Sequence, residues 1–154
     1  MAVREKITKN ISLGYFEGEI PMKYRYTMGV AGEKFYRAVM NGKLTASVAK
    51  GSGTVYCPPR IFCEDSFEAI DDIIELSGAG TLESFTFSFE DLHGDSQDPV
   101  IIALVKFDGA DTATPVKMQA ELDEPFIGMR VEAKFLAKNK RAGSINDIFV
   151  VPAE

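Results

Sequence analysis

Gly80-Thr81-Leu82-Glu83-Ser84-Phe85-Thr86-Phe87-Ser88-Phe89 is the stretch that decides the fold. It reads as a β-type segment, and segments of the same kind cover 73–76, 99–107, 114–120, 129–136 and 144–151, separated by turn formers. No convincing helix interrupts them. Five or six short strands predict a small closed barrel, because closure removes the vulnerable sheet edges. An OB-fold over 68–154 is the preferred barrel, although periodicity alone does not separate it from an SH3-like one. The fold class expected is therefore mainly β.

Upstream of the strands the character of the chain changes. Residues 44–67 are rich in Gly, Pro and Ser and read as a small-turn region, with the natural domain boundary just after it. Residues 1–43 form an N-terminal arm. Within it, 22–28 alternates large apolar or aromatic with basic residues, as extended structure does. Residues 31–40 read as a short helix, with Phe35, Ala38 and Val39 on one face and Asn41-Gly42 as its stop. A helix this short does not hold itself together in water and must pack on something. The arm is thus a docking device in expectation, with Tyr24, Tyr26, Phe35 and Tyr36 as its partner-docking candidates.

Composition limits the chemistry. The chain has 154 residues, 45% hydrophobic and 26% charged, which suits one globular domain rather than a disordered segment. No apolar run approaches the roughly 18–20 residues of a membrane helix. The opening MAVREKITKN is not an apolar secretory segment, so a cytoplasmic protein without a membrane partner is expected. The formal net charge is −6, although residues 1–43 carry eight Lys/Arg against four Glu. An acidic majority repels a phosphate backbone, so nucleic acid is not the expected partner. Two cysteines and one histidine fall short of the four ligands of a structural zinc site.

The remaining candidates are sparse. Cys57 and Cys63 flank Pro58-Pro59-Arg60-Ile61-Phe62 and read as buried thiols, since a nucleophile would need a base beside it. His93, in an Asp/Gly-rich stretch, reads as part of a solvated turn. Gly51-Ser52-Gly53 lacks the further residues of a dinucleotide or P-loop motif. Tyr24-Arg25-Tyr26 could stack bases, though packing is the favoured reading. Arg130, Lys134, Lys138, Lys140 and Arg141 form a basic cluster, either a solvated strand end or an anion site. No set of residues assembles a self-contained catalytic centre.

The stretch 49–66, AKGSGTVYCPPRIFCEDS, resembles the pattern Cys-x-x-Cys-Gly-x-x-Tyr-x-Pro-Pro-Arg-x-x-Cys-x-x-Cys. That pattern marks the zinc-ribbon and OB-fold proteins (domain of unknown function thirty-five) that accompany thiolases and HMG-CoA synthases. Further blocks are similar to the family in order: 26–35, 80–86, 107–112, 127–132 and 141–148, so the resemblance covers most of 20–151. It implies a rubredoxin-like zinc ribbon over 44–67 followed by the barrel. Its four metal ligands fall on Ala49, Ser52, Cys63 and Ser66, of which only Cys63 is a cysteine. The resemblance therefore implies a degenerate, metal-free ribbon, held by packing of Val55, Tyr56, Ile61 and Phe62 or by a partner protein.

The same resemblance implies a function. The chain would be a non-catalytic accessory subunit of an acyl-CoA thiolase or HMG-CoA-synthase-like complex, with catalysis in the partner. It would help to bind or enclose CoA or acyl-CoA, and Lys134, Lys138, Lys140 and Arg141 are the CoA-binding candidates by charge. Two alternatives stand beside it: a single-stranded nucleic-acid-binding OB-fold module, and a stand-alone Cys-dependent acyl-transfer enzyme.

Overall fold

A computed structural model describes residues 25–91 and 95–153. Tyr24 and His93 lie outside the described residues. The chain opens with helix α1 (Gly29–Met40), whose buried residues are Phe35 and Val39. Its end follows the Asn-Gly rule read from the sequence: Gly42 has φ 74° and its N–H donates to Val39 O at 2.9 Å.

Three strands follow as one antiparallel sheet in the order β2-β1-β3: β1 (Leu44–Val48), β2 (Val55–Tyr56) and β3 (Asp72–Leu76). Two points differ from the sequence reading. The turn-rich composition of 44–67 hid β1, which is nearly wholly buried. Residues 73–76, grouped with the barrel by their β character, instead pair with β1, in the register Leu44↔Leu76 to Val48↔Asp72. Gly78, at φ 89°, separates this strand from the barrel strand that begins at Ala79.

The rest is the barrel: β4 (Ala79–Glu90), β5 (Ser96–Phe107), β6 (Ala113–Met118), β7 (Arg130–Phe135) and β8 (Ile148–Pro152). It closes in the order β4-β5-β6-β8-β7, with β6 and β8 parallel and the other neighbours antiparallel. Five strands in this order make the OB-fold expected from the sequence. Along β6 the burial alternates strictly, Thr114, Val116 and Met118 inward and Pro115 and Lys117 outward, as a barrel wall requires.

One core joins these parts. Phe35 and Val39 of α1, Leu44 and Ala46 of β1, Cys57 and Leu76 cluster with Leu82, Val105, Phe107, Val131, Ile148 and Val150 of the barrel. Each large apolar side chain so buried contributes roughly 1.5–3 kcal/mol. Phe35 was a docking candidate by sequence; it is buried in this core and presents no surface to a partner. A second, smaller cluster of Ala49, Tyr56, Cys63 and Ile70 lies under the turns that flank β2.

Candidate functional site

Two turns build the ribbon site. In the first, Ala49 N–H donates to Thr54 O at 2.9 Å and Gly53 N–H donates to Ala49 O at 2.7 Å. In the second, Cys63 N–H donates to Glu68 O and Phe67 N–H donates to Cys63 O, both at 3.0 Å. The Glu68 carboxylate clips the two together by accepting from Gly51 N–H at 2.7 Å. Ser52 Oγ thereby comes 3.5 Å from Cys63 Sγ, and the Tyr56 hydroxyl comes 3.3 Å from the same sulfur.

The four positions that the resemblance assigns to metal ligands thus do converge. Ala49 and Cys63 share one buried cluster, and the side chains of Ser52 and Ser66 both hydrogen-bond to Cys63. The donor set does not fit zinc, which takes four Cys or His ligands in a structural site, whereas one thiol, two hydroxyls and a methyl stand here. Among the described residues no group of three or more His, Cys, Asp or Glu is placed to hold a metal ion.

The electrostatics follow from these contacts. Hydrogen bonds from Ser52, then Ser66 and Tyr56, pull the Cys63 thiol down to about 6 against the opposing push of burial. The same contact raises Tyr56, because its proton is held against the sulfur, and burial adds to this. Burial pushes the Cys57 thiol up, partly offset by its hydrogen bond with Thr114. Both sulfurs belong to fully buried residues, so neither is presented to an acyl group from solvent. That geometry speaks against the stand-alone acyl-transfer enzyme.

Two residues of the expected ribbon packing behave otherwise. Tyr56 is buried and Val55 half-buried, but Ile61 is 44% and Phe62 55% exposed. The neighbouring Phe67 is 81% exposed and has φ +56°. Ile61 and Phe62, expected to pack within the ribbon, instead lie on an outward loop closed by the bridge Phe62↔Ala69. Sequence reasoning missed this surface, and a bulky residue in a left-handed turn leaves no mark in composition.

The basic cluster divides into engaged and free-standing side chains. Lys134 pairs with Glu132 at 2.6 Å. Arg141 is committed to the protein itself: its Nε donates to Leu136 O at 2.6 Å, its Nη1 to Met40 O at 3.1 Å, and its guanidinium stacks on Phe135. Lys138 and Lys140 are exposed on a short 3-10 turn, Lys138–Lys140. Of the docking candidates, Tyr26 is exposed, and Tyr36 is half-buried with its ring edge-on to Phe35 at 5.4 Å.

A groove of about 580 Å³ lies beside the starts of β5 and β8 and the end of β6. Val100, Met118, Leu122 and Phe149 supply its apolar lining, and Asp98, Glu121 and Lys117 its charges. OB-folds that bind oligonucleotides use a cationic groove with stacking aromatics. Two carboxylates, one lysine and one aromatic ring do not make such a groove. Among the described residues no helix is long and apolar enough to cross a membrane.

Comparison with known proteins agrees with this architecture. Residues 74–136 match the family described as the ChsH2 C-terminal OB-fold domain. A protein of unknown function of the DUF35 family from Sulfolobus solfataricus is similar at 24% identity, over 81% of this chain and 87% of that one, with a TM-score of 0.61. An Ltp2-ChsH2(DUF35) aldolase structure is similar at 19% identity, over 83% of this chain and 98% of that one, with a TM-score of 0.66. None of the curated proteins matches. Residues 74–136 thus resemble the ChsH2 C-terminal OB-fold domain, and the chain as a whole has the fold of these DUF35 structures.

Proposed function

We propose that the chain is a non-catalytic accessory subunit of an acyl-CoA assembly, seated on a thiolase-like or HMG-CoA-synthase-like enzyme that carries the chemistry. The observation that carries this reading is the match, over nearly the whole of its length, to the DUF35 chain of an Ltp2-ChsH2 aldolase. Acyl-transfer chemistry at carbon needs an activated thiol and an oxyanion hole. Here both thiols are buried, which fits a division of labour with a partner. The ribbon is metal-free in this reading, its turns tied by the hydrogen bonds around Cys63 rather than by zinc.

The subunit would add binding energy to the part of CoA remote from the reacting carbon, which speeds the chemical step only where those contacts strengthen in the transition state and otherwise lowers KM alone. Lys138 and Lys140, both exposed, are the side chains that would meet the phosphates. Lys134 and Arg141 contribute less, being engaged by Glu132 and by the carbonyls of Met40 and Leu136. The test is calorimetric titration of CoA into the purified assembly. A Lys138→Ala/Lys140→Ala variant that raises Kd about tenfold or more supports CoA contact with this chain. Unchanged affinity removes CoA from its roles.

A further inference from the structure

We propose that the loop 60–67 is the docking surface for a partner protein whose own surface carries an apolar cleft rimmed by Lys and Arg. Phe67 is the anchor. It has φ +56°, a region that favours glycine or asparagine, and it is 81% exposed. The residue thus gains neither backbone comfort nor burial inside its own chain. A strained, exposed aromatic side chain is a feature that stability alone does not retain, and such outliers concentrate at binding sites. Ile61 and Phe62 add two more exposed apolar side chains to the same loop.

The loop is rigid at its base. Arg60 N–H donates to Ser47 Oγ at 2.9 Å, Ile70 N–H to Ile61 O at 2.8 Å, and Phe67 N–H to Cys63 O at 3.0 Å. The aromatic anchor is therefore held in one place before the partner arrives, which reduces the ordering cost of association. Charge selects the partner. Over residues 60–72 the chain carries Glu64, Asp65, Glu68, Asp71 and Asp72 against Arg60, and Lys50 reaches Asp72 from the first ribbon turn. Arg60 pairs with Glu64, and Lys50 with Asp72, while Asp65 and Asp71 make no ion pair with a described residue. An acidic rim around an aromatic anchor fits a basic rim around an apolar cleft.

The identity of the partner rests on the accessory-subunit reading; the surface does not. The experiment places benzoylphenylalanine at position 67 of the full chain in its native host, followed by irradiation and mass spectrometry of the adducts. The adduct partner is then purified and titrated with wild type, Phe67→Gly and Asp65→Lys. Glycine accepts the left-handed backbone, so Phe67→Gly is expected to keep or raise Tm while weakening binding at least about tenfold. Asp65→Lys is expected to slow association and to flatten its dependence on salt.

An adduct with a thiolase-like enzyme and these losses supports both the surface and the reading. The same losses with a different adduct protein support the surface and overturn the reading. No adduct, an adduct only with a second copy of this chain, or a Phe67→Gly variant that binds like wild type overturns the docking surface. In the last case, wild-type binding to a thiolase-like enzyme leaves the accessory-subunit reading standing.

Discussion

The Tyr56 hydroxyl sits 3.3 Å from Cys63 Sγ, at the point where the two ribbon turns meet. With Ser52 and Ser66 it surrounds the sulfur with hydroxyl donors, and the thiol is pulled down to about 6 as a result. A hydrogen-bonded sulfur whose pKa is lowered thus stands at the convergence of the four ligand positions.

The pH dependence has a definite sign. An ordinary thiol titrates at about 8.5. A folded value near 6 contributes stability that is complete above the ordinary range and is lost as pH falls toward 6. Wild type should therefore gain Tm over Cys63→Ser between about pH 6 and pH 9. Equal Tm differences at both ends of that window would refute the thiolate, and ultraviolet titration of the thiolate checks it directly. Tyr56→Phe should move that titration upward.

Arg141 ties the helix to the barrel through Met40 O, 3.1 Å from its Nη1. Removing a charged donor that serves two backbone carbonyls should cost about 2 kcal/mol. The loss should concentrate at α1, so amide exchange across Gly29–Met40 in Arg141→Ala should speed up more than exchange in β5. Uniform acceleration would contradict a local tie.

Much of this was legible in the sequence, for identifiable reasons. The turn-bounded β segments after residue 79 follow from one buried and one exposed face, and the need to close a small sheet points to a barrel, although periodicity alone does not choose the OB type. The helix end followed from Asn41-Gly42. The strand Leu44–Val48 escaped because its short Leu-Thr-Ala-Ser-Val alternation runs straight into the Gly-, Ser- and Pro-rich turns that follow, and burial of Thr45 and Ser47 is set by tertiary packing. Strand Asp72–Leu76 was recognised but given to the wrong sheet, since pairing partners are set by tertiary contacts rather than by local pattern. At the ribbon, the convergence of Ala49, Ser52, Cys63 and Ser66 followed from the family pattern. The outward Phe67 and the internal engagement of Arg141 depend on backbone geometry and long-range contacts, which no spacing rule encodes.

Gly80 is required where β4 crosses β5. An added Cβ would meet Val105 Cγ1 at 2.8 Å, Lys106 O at 2.9 Å and Phe107 Cα at 3.1 Å, and two of these are backbone atoms. Gly80→Ala should destabilise the barrel by about 1–3 kcal/mol in urea denaturation. A neutral result would mean that the strands are not packed this closely.

Asp147 is buried, which pushes its carboxyl up, but the N–H groups of Ala142, Ser144 and Gly143 outweigh this and hold it below the usual range. A depressed carboxyl contributes stability above its ordinary range, about 3.9, and loses it as pH falls. Asp147→Asn should lower Tm at pH 7, with the deficit shrinking below about pH 4. Thermal melts across that range test it; a deficit constant with pH would assign the loss to shape rather than charge.

The central claim concerns assembly, and native mass spectrometry of the tagged chain purified from its own host tests it most directly. The account predicts a fixed-stoichiometry complex with a thiolase-like or HMG-CoA-synthase-like enzyme and a mass for this chain that includes no zinc. A stable protein that purifies alone, or one that carries stoichiometric zinc, would contradict it.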